Sequence, residues 1–237
     1  MSGSEPILTV RGVSKNYRGL RPLRVQQLDV GAGDAVALVG FDQVTAEVLV
    51  DLITGATLPE AGEIVAFGKA TTAIRDGDEW LRVLDAFGLL SERAVLVEQF
   101  SAEQNLTLPI SLELNAVEDS LRRRVRTLGE EIGLEPGELD MPAGQLSALG
   151  KLRIRLGRAL ALDPPLLLAE HPNATLSADE TAVFAADLSR IIARRRMAAL
   201  IMTADRRFAS AVADRVLTLQ PGTGELTAAS GWRRWFS

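Results

Sequence analysis

The sequence predicts an α/β fold built on a mixed, mainly parallel sheet covered by helices. Two observations predict it. "AVALVG" (35–40), "PPLLLAE" (164–170) and "AALIMTA" (198–204) are short apolar runs of the kind buried on both faces of a sheet. Between them lie stretches with apolar residues at helical spacing, and buried strands that alternate with helices indicate a parallel arrangement. A hydrophobic fraction of 47% over 237 residues supplies the core such a sheet needs and excludes a disordered chain.

Taken in order, "PILTVRGVSKNY" (6–17) alternates apolar and polar residues and reads as a half-buried strand. "PLRVQQLDVGAGD" (22–34) is a second strand ending in a Gly-Asp turn. After "AVALVG", "TAEVLVDLITG" (45–55) has the spacing of an amphipathic helix and stops at Gly55, a C-cap residue. "PEAGEIVAFG" (59–68) reads as turn, strand and turn. The middle is mostly helical from about Glu113 to Ile132, and "KLRIRLGRALAL" (151–162) is a further helix before the second buried strand. Another helix covers Ala178 to Arg195. "ADRVLTLQPGTGEL" (213–226) closes as a hairpin with Pro221, Gly222 and Gly224 at its turn. There is no internal repeat.

A net charge of −5 argues against a nucleic-acid partner. The basic clusters "LRRRVR" (121–126) and "RIIARRR" (190–196) fall in helical patterns and read as solvated helix faces. No stretch of eighteen apolar residues is present, and the start "MSGSEPILTV" lacks the pattern of a secretory signal. Without cysteine there is neither a disulfide nor a thiolate metal site, and a cytoplasmic location is expected.

One stretch carries chemistry by its outline. In "LVGFDQVTAEVLVDLITG" (38–55) an apolar strand ends in Gly40 and leads towards an amphipathic helix, the outline of a phosphate-binding loop. The residues that bind phosphate are missing: the loop places hold Asp42, Gln43, Val44, Thr45, Ala46 and Glu47.

With its punctuation, this order resembles the ATP-binding subunits of ABC transporters, from about Ile7 to Leu226. It is closest to the short subunits of lipoprotein-releasing, macrolide-export and cell-division complexes. The resemblance rests on "GVSKNY" (12–17), "VGAGDAVALVG" (30–40), "LITGATLPEAGEIVAFG" (52–68) and "NLTLPI" (105–110). It continues through "LSALGKLRIRLGRALALDPPLLLAEHP" (146–172) and "ADRVLTL" (213–219). It implies a P-loop NTPase fold of ABC type over 1–237, with an N-terminal antiparallel β subdomain, an inserted helical subdomain at about 93–150 and a tail at 227–237.

The resemblance also implies roles. Tyr17 stands where the family stacks an aromatic ring on adenine, and Gly40 opens the vestigial phosphate loop. Ala46 occupies the lysine place and Glu47 the hydroxyl place. Glu170 and His171 occupy the places of the magnesium-site aspartate and the catalytic carboxylate. His171, the only histidine, has a base's chemistry, although a polar residue tolerated without catalysis is the simpler reading. The glutamine place falls at Glu92, Ser177 holds an aspartate place, and Ala204 replaces the switch histidine. Ser147 of "LSALG" keeps the signature serine, while Ala148 and Leu149 replace its two glycines, so that Leu149 is expected to crowd a close approach.

These substitutions imply a pseudo-ATPase subunit with no cofactor on its own loop. It is expected to pair with an active ABC ATP-binding subunit, face that partner's ATP and magnesium through Ser147, and dock peripherally on a membrane permease. The alternatives are an unconventional weak ATP hydrolase using Glu170, His171 and Tyr17, or a soluble interaction module of the same fold. The tail "GWRRWFS" (231–237) reads as a frayed terminus or, second, as a contact for lipid headgroups or a partner pocket.

Overall fold

The computed structural model describes residues 5–17, 19–114 and 118–228. The reading of the tail "GWRRWFS" therefore lies outside the described residues, and Thr227 and Ala228, assigned to that tail, belong to a strand instead.

Two sheets organise the chain. The first holds β1 (Leu8–Lys15), β2 (Leu23–Val30), β4 (Ala61–Ala66) and the short β5 (Lys69–Ala70), all antiparallel in the order β2-β1-β4-β5. The second holds β3 (Ala35–Val39), β6 (Phe87–Leu90), β7 (Leu166–Glu170), β8 (Ala198–Met202), β9 (Arg215–Gln220) and β10 (Glu225–Ala228). Its order is β10-β9-β3-β8-β7-β6, parallel throughout except for the closing β9–β10 hairpin. The three apolar runs are its central strands, and every residue of β3, β7 and β8 is buried.

The helices are α1 (Gln43–Ile53), α2 (Gly77–Leu84), α3 (Ala102–Thr107), α4 (Asp119–Glu131), α5 (Pro136–Leu139), α6 (Ala148–Leu160), α7 (Ala178–Arg195) and α8 (Arg206–Val212). Strand alternation divides the core between the two faces of the large sheet. Leu167, Ala169, Ala199 and Ile201 face a cluster shared with α3, α4, α6 and α7. Leu166, Leu168, Ala198, Leu200 and Met202 face a cluster shared with α1 and the antiparallel sheet. The insertion α3–α5 packs on α6 through Leu106 and Ile132 at Gly157, where a Cβ would come within 2.3 Å of the Leu106 side chain.

Several expectations shift. α7 has the bounds that its periodicity gives, with Ser177 as its cap and Glu180 completing a capping box. α6 starts three residues before the predicted Lys151, because Ser147 caps it. The helical middle contracts to α4, beginning at Asp119. The short elements α2, β6, α3, α5 and α8 were not anticipated, since four to eight residues give too little periodicity. The basic clusters are not simply solvated. Arg195 is largely buried and paired with Glu131 at 2.6 Å, and Arg126 bridges Glu103 and Asp140 at 2.6 and 2.7 Å.

Candidate functional site

The site lies at the carboxyl ends of β3, β7 and β8, where the parallel strands deliver their loops. Gly40 turns the chain out of β3 at φ +93°, with its α-carbon face against the Leu219 carbonyl, 3.2 Å from where a Cβ would stand. Only Phe41 and Asp42 separate it from α1. The helix begins at Gln43, two residues before the start predicted at Thr45, because Asp42 caps it. The Asp42 carboxylate accepts the Thr45 backbone N–H at 2.8 Å and the Thr45 hydroxyl at 2.7 Å. Those bonds, first the backbone N–H and then the hydroxyl, hold the carboxyl below its usual range; the His171 side chain adds to the effect against the opposing influence of burial. A carboxylate of the chain itself thus sits on the positive end of the helix. Ala46 is fully buried, and Glu47 accepts the Gln43 amide at 2.9 Å.

Tyr17 follows β1 and lines a cavity of about 620 Å³ with Gly40, Asp42, Thr45 and Leu219. The chain folds back across its ring: a Cβ on Gly19 would lie 2.4 Å from the aromatic carbons. Burial, then the Asp42 charge, raises the phenol pKa. Tyr17 and Gly40 therefore line one cavity, with Asp42 beside them.

Glu170 ends β7 with its side chain 1% exposed. Pairing of Leu90 with Ala169 sets Ser91, the first residue after β6, opposite Glu170. The Ser91 hydroxyl donates to Oε2 at 2.5 Å. Arg93 donates to the same carboxylate twice, from Nε to Oε2 at 3.2 Å and from Nη2 to Oε1, and its Nη1 reaches Asp51 of α1 at 3.1 Å. Burial lowers the Arg93 pKa, but hydrogen bonds and charge from Glu170 and Asp51 outweigh it and hold the guanidinium above its ordinary value. Arg93 is a positive charge clamped bidentately on a buried carboxylate. Glu92, the expected glutamine place, is exposed beside it.

His171 is buried with φ +44°, in the left-handed region that side chains rarely adopt. Its backbone N–H donates to the Met202 carbonyl at 2.8 Å, which fixes the turn after β7. Its Nε2 is enclosed and has no hydrogen-bond partner among the described residues. His171 and Glu170 are adjacent in sequence but serve different surroundings: Glu170 is held by Ser91 and Arg93, whereas His171 lines a separate cavity with Asn173, Thr203 and Asp205. Ala204 is exposed on the loop after β8.

Ser147 accepts the Gly150 N–H at 3.1 Å as the cap of α6 and stays exposed with Ala148. Leu149 is partly buried, its side chain packed against the core beneath α6. The Glu180 carboxyl is lowered by the Ser177 N–H first, then by the Ser177 hydroxyl, and the Leu149 backbone contributes as well.

Sequence reasoning located Tyr17, Gly40, Ser147, Glu170 and His171 but missed the partners that define their state. Ser91 and Arg93 lie on the loop after β6 and Asp51 on α1, all remote in sequence from Glu170. The only signal for Asp42 was its place three residues before Thr45 at a helix start, the Asx-cap pattern. Among the described residues, no cluster of three or more His, Asp or Glu is placed to hold a metal ion.

No protein-family model matches the chain. The lipoprotein-releasing system ATP-binding protein LolD 2 of Caulobacter vibrioides is 31% identical over 228 residues, covering 94% of this chain and 98% of its own. The LolD protein of Psychrobacter arcticus is 28% identical over 84% of this chain and 87% of its own. The iron-import protein FbpC of Serratia marcescens is 26% identical; the chain spans 61% of that longer relative. Among solved structures, cbiO1 of Clostridium perfringens superposes with a TM-score of 0.80 at 21% identity, over 94% of this chain and 88% of its own. A dimeric ATP-binding cassette, MJ0796 with ADP and Pi, gives 0.76 at 21% identity, over 94% and 97%. The structural likenesses show the shared fold, and the LolD 2 match shows the relationship: the chain belongs to the family of ABC transporter ATP-binding subunits.

Proposed function

We propose that this chain is a subunit of an ABC transporter complex that does not hydrolyse ATP itself. It pairs with an active ATP-binding subunit and docks on a membrane permease as a structural or regulatory partner. The observation that carries this reading is that both charged places of the site are occupied from within the chain. Asp42 supplies an anion on the helix end where the family's phosphates lie, and Arg93 supplies a cation on the carboxylate at the family's magnesium place.

These residues do not fit MgATP. A polyphosphate would meet Asp42 and Glu47, and no lysine stands at Ala46 to offset them. At about 5 Å and an effective dielectric of about 20, each such charge pair is worth roughly 3 kcal/mol. A divalent cation would have to displace Arg93 from Glu170. Two changes of sign in one site are enough to abolish micromolar binding.

What remains exposed is the other half of the family's interface. Ser147 and Ala148 are exposed at the start of α6, while Leu149 packs partly against the core. This favours a role in which the chain presents its "LSALG" segment to a partner's nucleotide. Among the described residues, no helix is long and apolar enough to cross a membrane, so attachment to the membrane is assigned to the permease.

Calorimetric titration of the purified chain with MgATP to millimolar concentration tests the first half of the proposal. The expected result is no saturable heat. Saturable binding with turnover that His171→Ala abolishes would establish the hydrolase alternative instead. Affinity capture from membranes tests the second half, with an ATP-binding subunit and a permease expected together. Recovery of neither sinks the transporter role.

A further inference from the structure

We propose that residues 91–97, which link β6 to the insertion, form a hinge latched by Arg93, and that this latch sets where the insertion and Ser147 stand relative to the sheet. The link has little to hold it by itself. Of residues 92–97 only Leu96 is buried, while Glu92, Arg93 and Val95 are exposed. Its own backbone bonds are local turns, from the Ala94 N–H to the Ser91 carbonyl at 3.2 Å and from the Val95 N–H to the Arg93 carbonyl at 2.9 Å. A segment with so few buried apolar contacts opens readily unless other groups tie it down.

The ties come from four other elements. Arg93 grips Glu170 at the end of β7 through Nε and Nη2, and Asp51 of α1 through Nη1. From α6, Arg158 donates to the Val95 carbonyl at 2.8 Å, and Arg155 reaches the Ala94 carbonyl at 3.4 Å. From α3, the fully buried Asn105 holds both backbone groups of Val97, accepting its N–H at 3.0 Å and donating to its carbonyl at 2.9 Å. Arg93 differs from the rest because it joins the link to the sheet and to α1 at once. A guanidinium seated bidentately on a carboxylate that is 1% exposed has a fixed orientation, and water cannot replace it cheaply.

Beyond the link, the chain carries this position on to Ser147. Residues 98–102 lie along the returning connection: the Ala102 N–H donates to the Met141 carbonyl at 3.0 Å, the Ala143 N–H to the Phe100 carbonyl at 2.8 Å, and the Gly144 N–H to the Glu98 carbonyl at 3.0 Å. A Cβ on Gly144 would stand 3.3 Å from Glu98, so the two stretches are in close contact. Ser147 follows three residues later. Both connections of the insertion are thus tied to each other, and the latch governs both. Its bearing on a partner's nucleotide rests on the function proposed above; the latch itself does not.

Hydrogen exchange of the intact chain, followed by mass spectrometry at residues 91–100 with α7 as the internal reference, tests the latch. Arg93→Met is expected to speed exchange at 91–100 by at least about tenfold beyond any change in α7, the factor that losing one hydrogen bond to a charged group implies. The double variant, Arg93→Met with Glu170→Leu, separates a latch from simple neutralisation of Glu170. It is expected to regain stability while the link still exchanges fast, and it carries the test alone if Arg93→Met does not fold. A link that speeds up no more than α7 in Arg93→Met, or that regains wild-type protection in the double variant, overturns the proposal. Neither result depends on nucleotide or a permease, so failure here is distinct from failure of the transporter role.

Discussion

The central strands and the loops that leave them follow different rules. β3, β7 and β8 are buried at every position, and their apolar side chains divide between the two main core clusters, with Ala37 and Val39 of β3 in a small third one beside α8. The ends of these strands and the loops that leave them carry Asp42, Glu170 and His171, none of which burial alone can satisfy. In a strand interior any apolar residue of suitable volume serves, so the pattern survives wide changes in sequence. At a strand end each charge needs a specific partner. Here the partners of Asp42 and Glu170 come from the chain: Thr45 for the first, Ser91 and Arg93 for the second. The scaffold is thus that of its family.

That contrast can be broken first at the strands. Leu200→Ala, at a fully buried position of β8, is expected to cost about 3 kcal/mol through lost burial and the cavity left behind. Urea unfolding at neutral pH measures it. The next effect is at Glu170. Arg93→Met leaves a buried carboxylate without its cation, and a loss of about 2 kcal/mol is expected. This is below the usual cost of a broken buried pair because the guanidinium is 43% exposed. Replacing both residues, Arg93→Met with Glu170→Leu, is expected to recover most of that loss; failure to recover it would show that Arg93 acts through Asp51 instead.

Asp42 sharpens the comparison further. Asp42→Ala removes the cap of α1 and is expected to cost about 1 kcal/mol, whereas Asp42→Asn keeps most of the cap. Because the folded carboxyl titrates below its usual range, its contribution is complete above that range and is lost as the pH falls through the depressed value. Unfolding midpoints compared at neutral pH and at about pH 3 should therefore converge between wild type and Asp42→Ala. The smallest effect is expected on the surface. Arg124→Gln, which removes an exposed pair with Asp163 and a bond to the Ala161 carbonyl, should change stability by at most about 1 kcal/mol.

Much of the fold was legible. The apolar runs at 35–39, 166–170 and 198–202 are central strands, α7 has the predicted bounds, and the final hairpin turns where Pro221, Gly222 and Gly224 place it. β6 was not legible because four residues give too little periodicity, yet it is the strand that carries Ser91 to Glu170. The site was legible as places rather than as contacts. Tyr17, Gly40, Ser147, Glu170 and His171 could be located, but Arg93 is 77 residues from Glu170 in the chain, and no local pattern links them.

The sequence by itself determined the layers, because burial depends on residue type and period, both of which are local. It also determined that residues 41–47, between Gly40 and the body of α1, contain neither lysine nor glycine. Tertiary structure decided what stands in their place. It brought a guanidinium to Glu170, folded Asp42 onto the end of α1, and left Ser147 exposed as the cap of α6. Charges act through distance, and distances between remote residues exist only once the sheet has set its register.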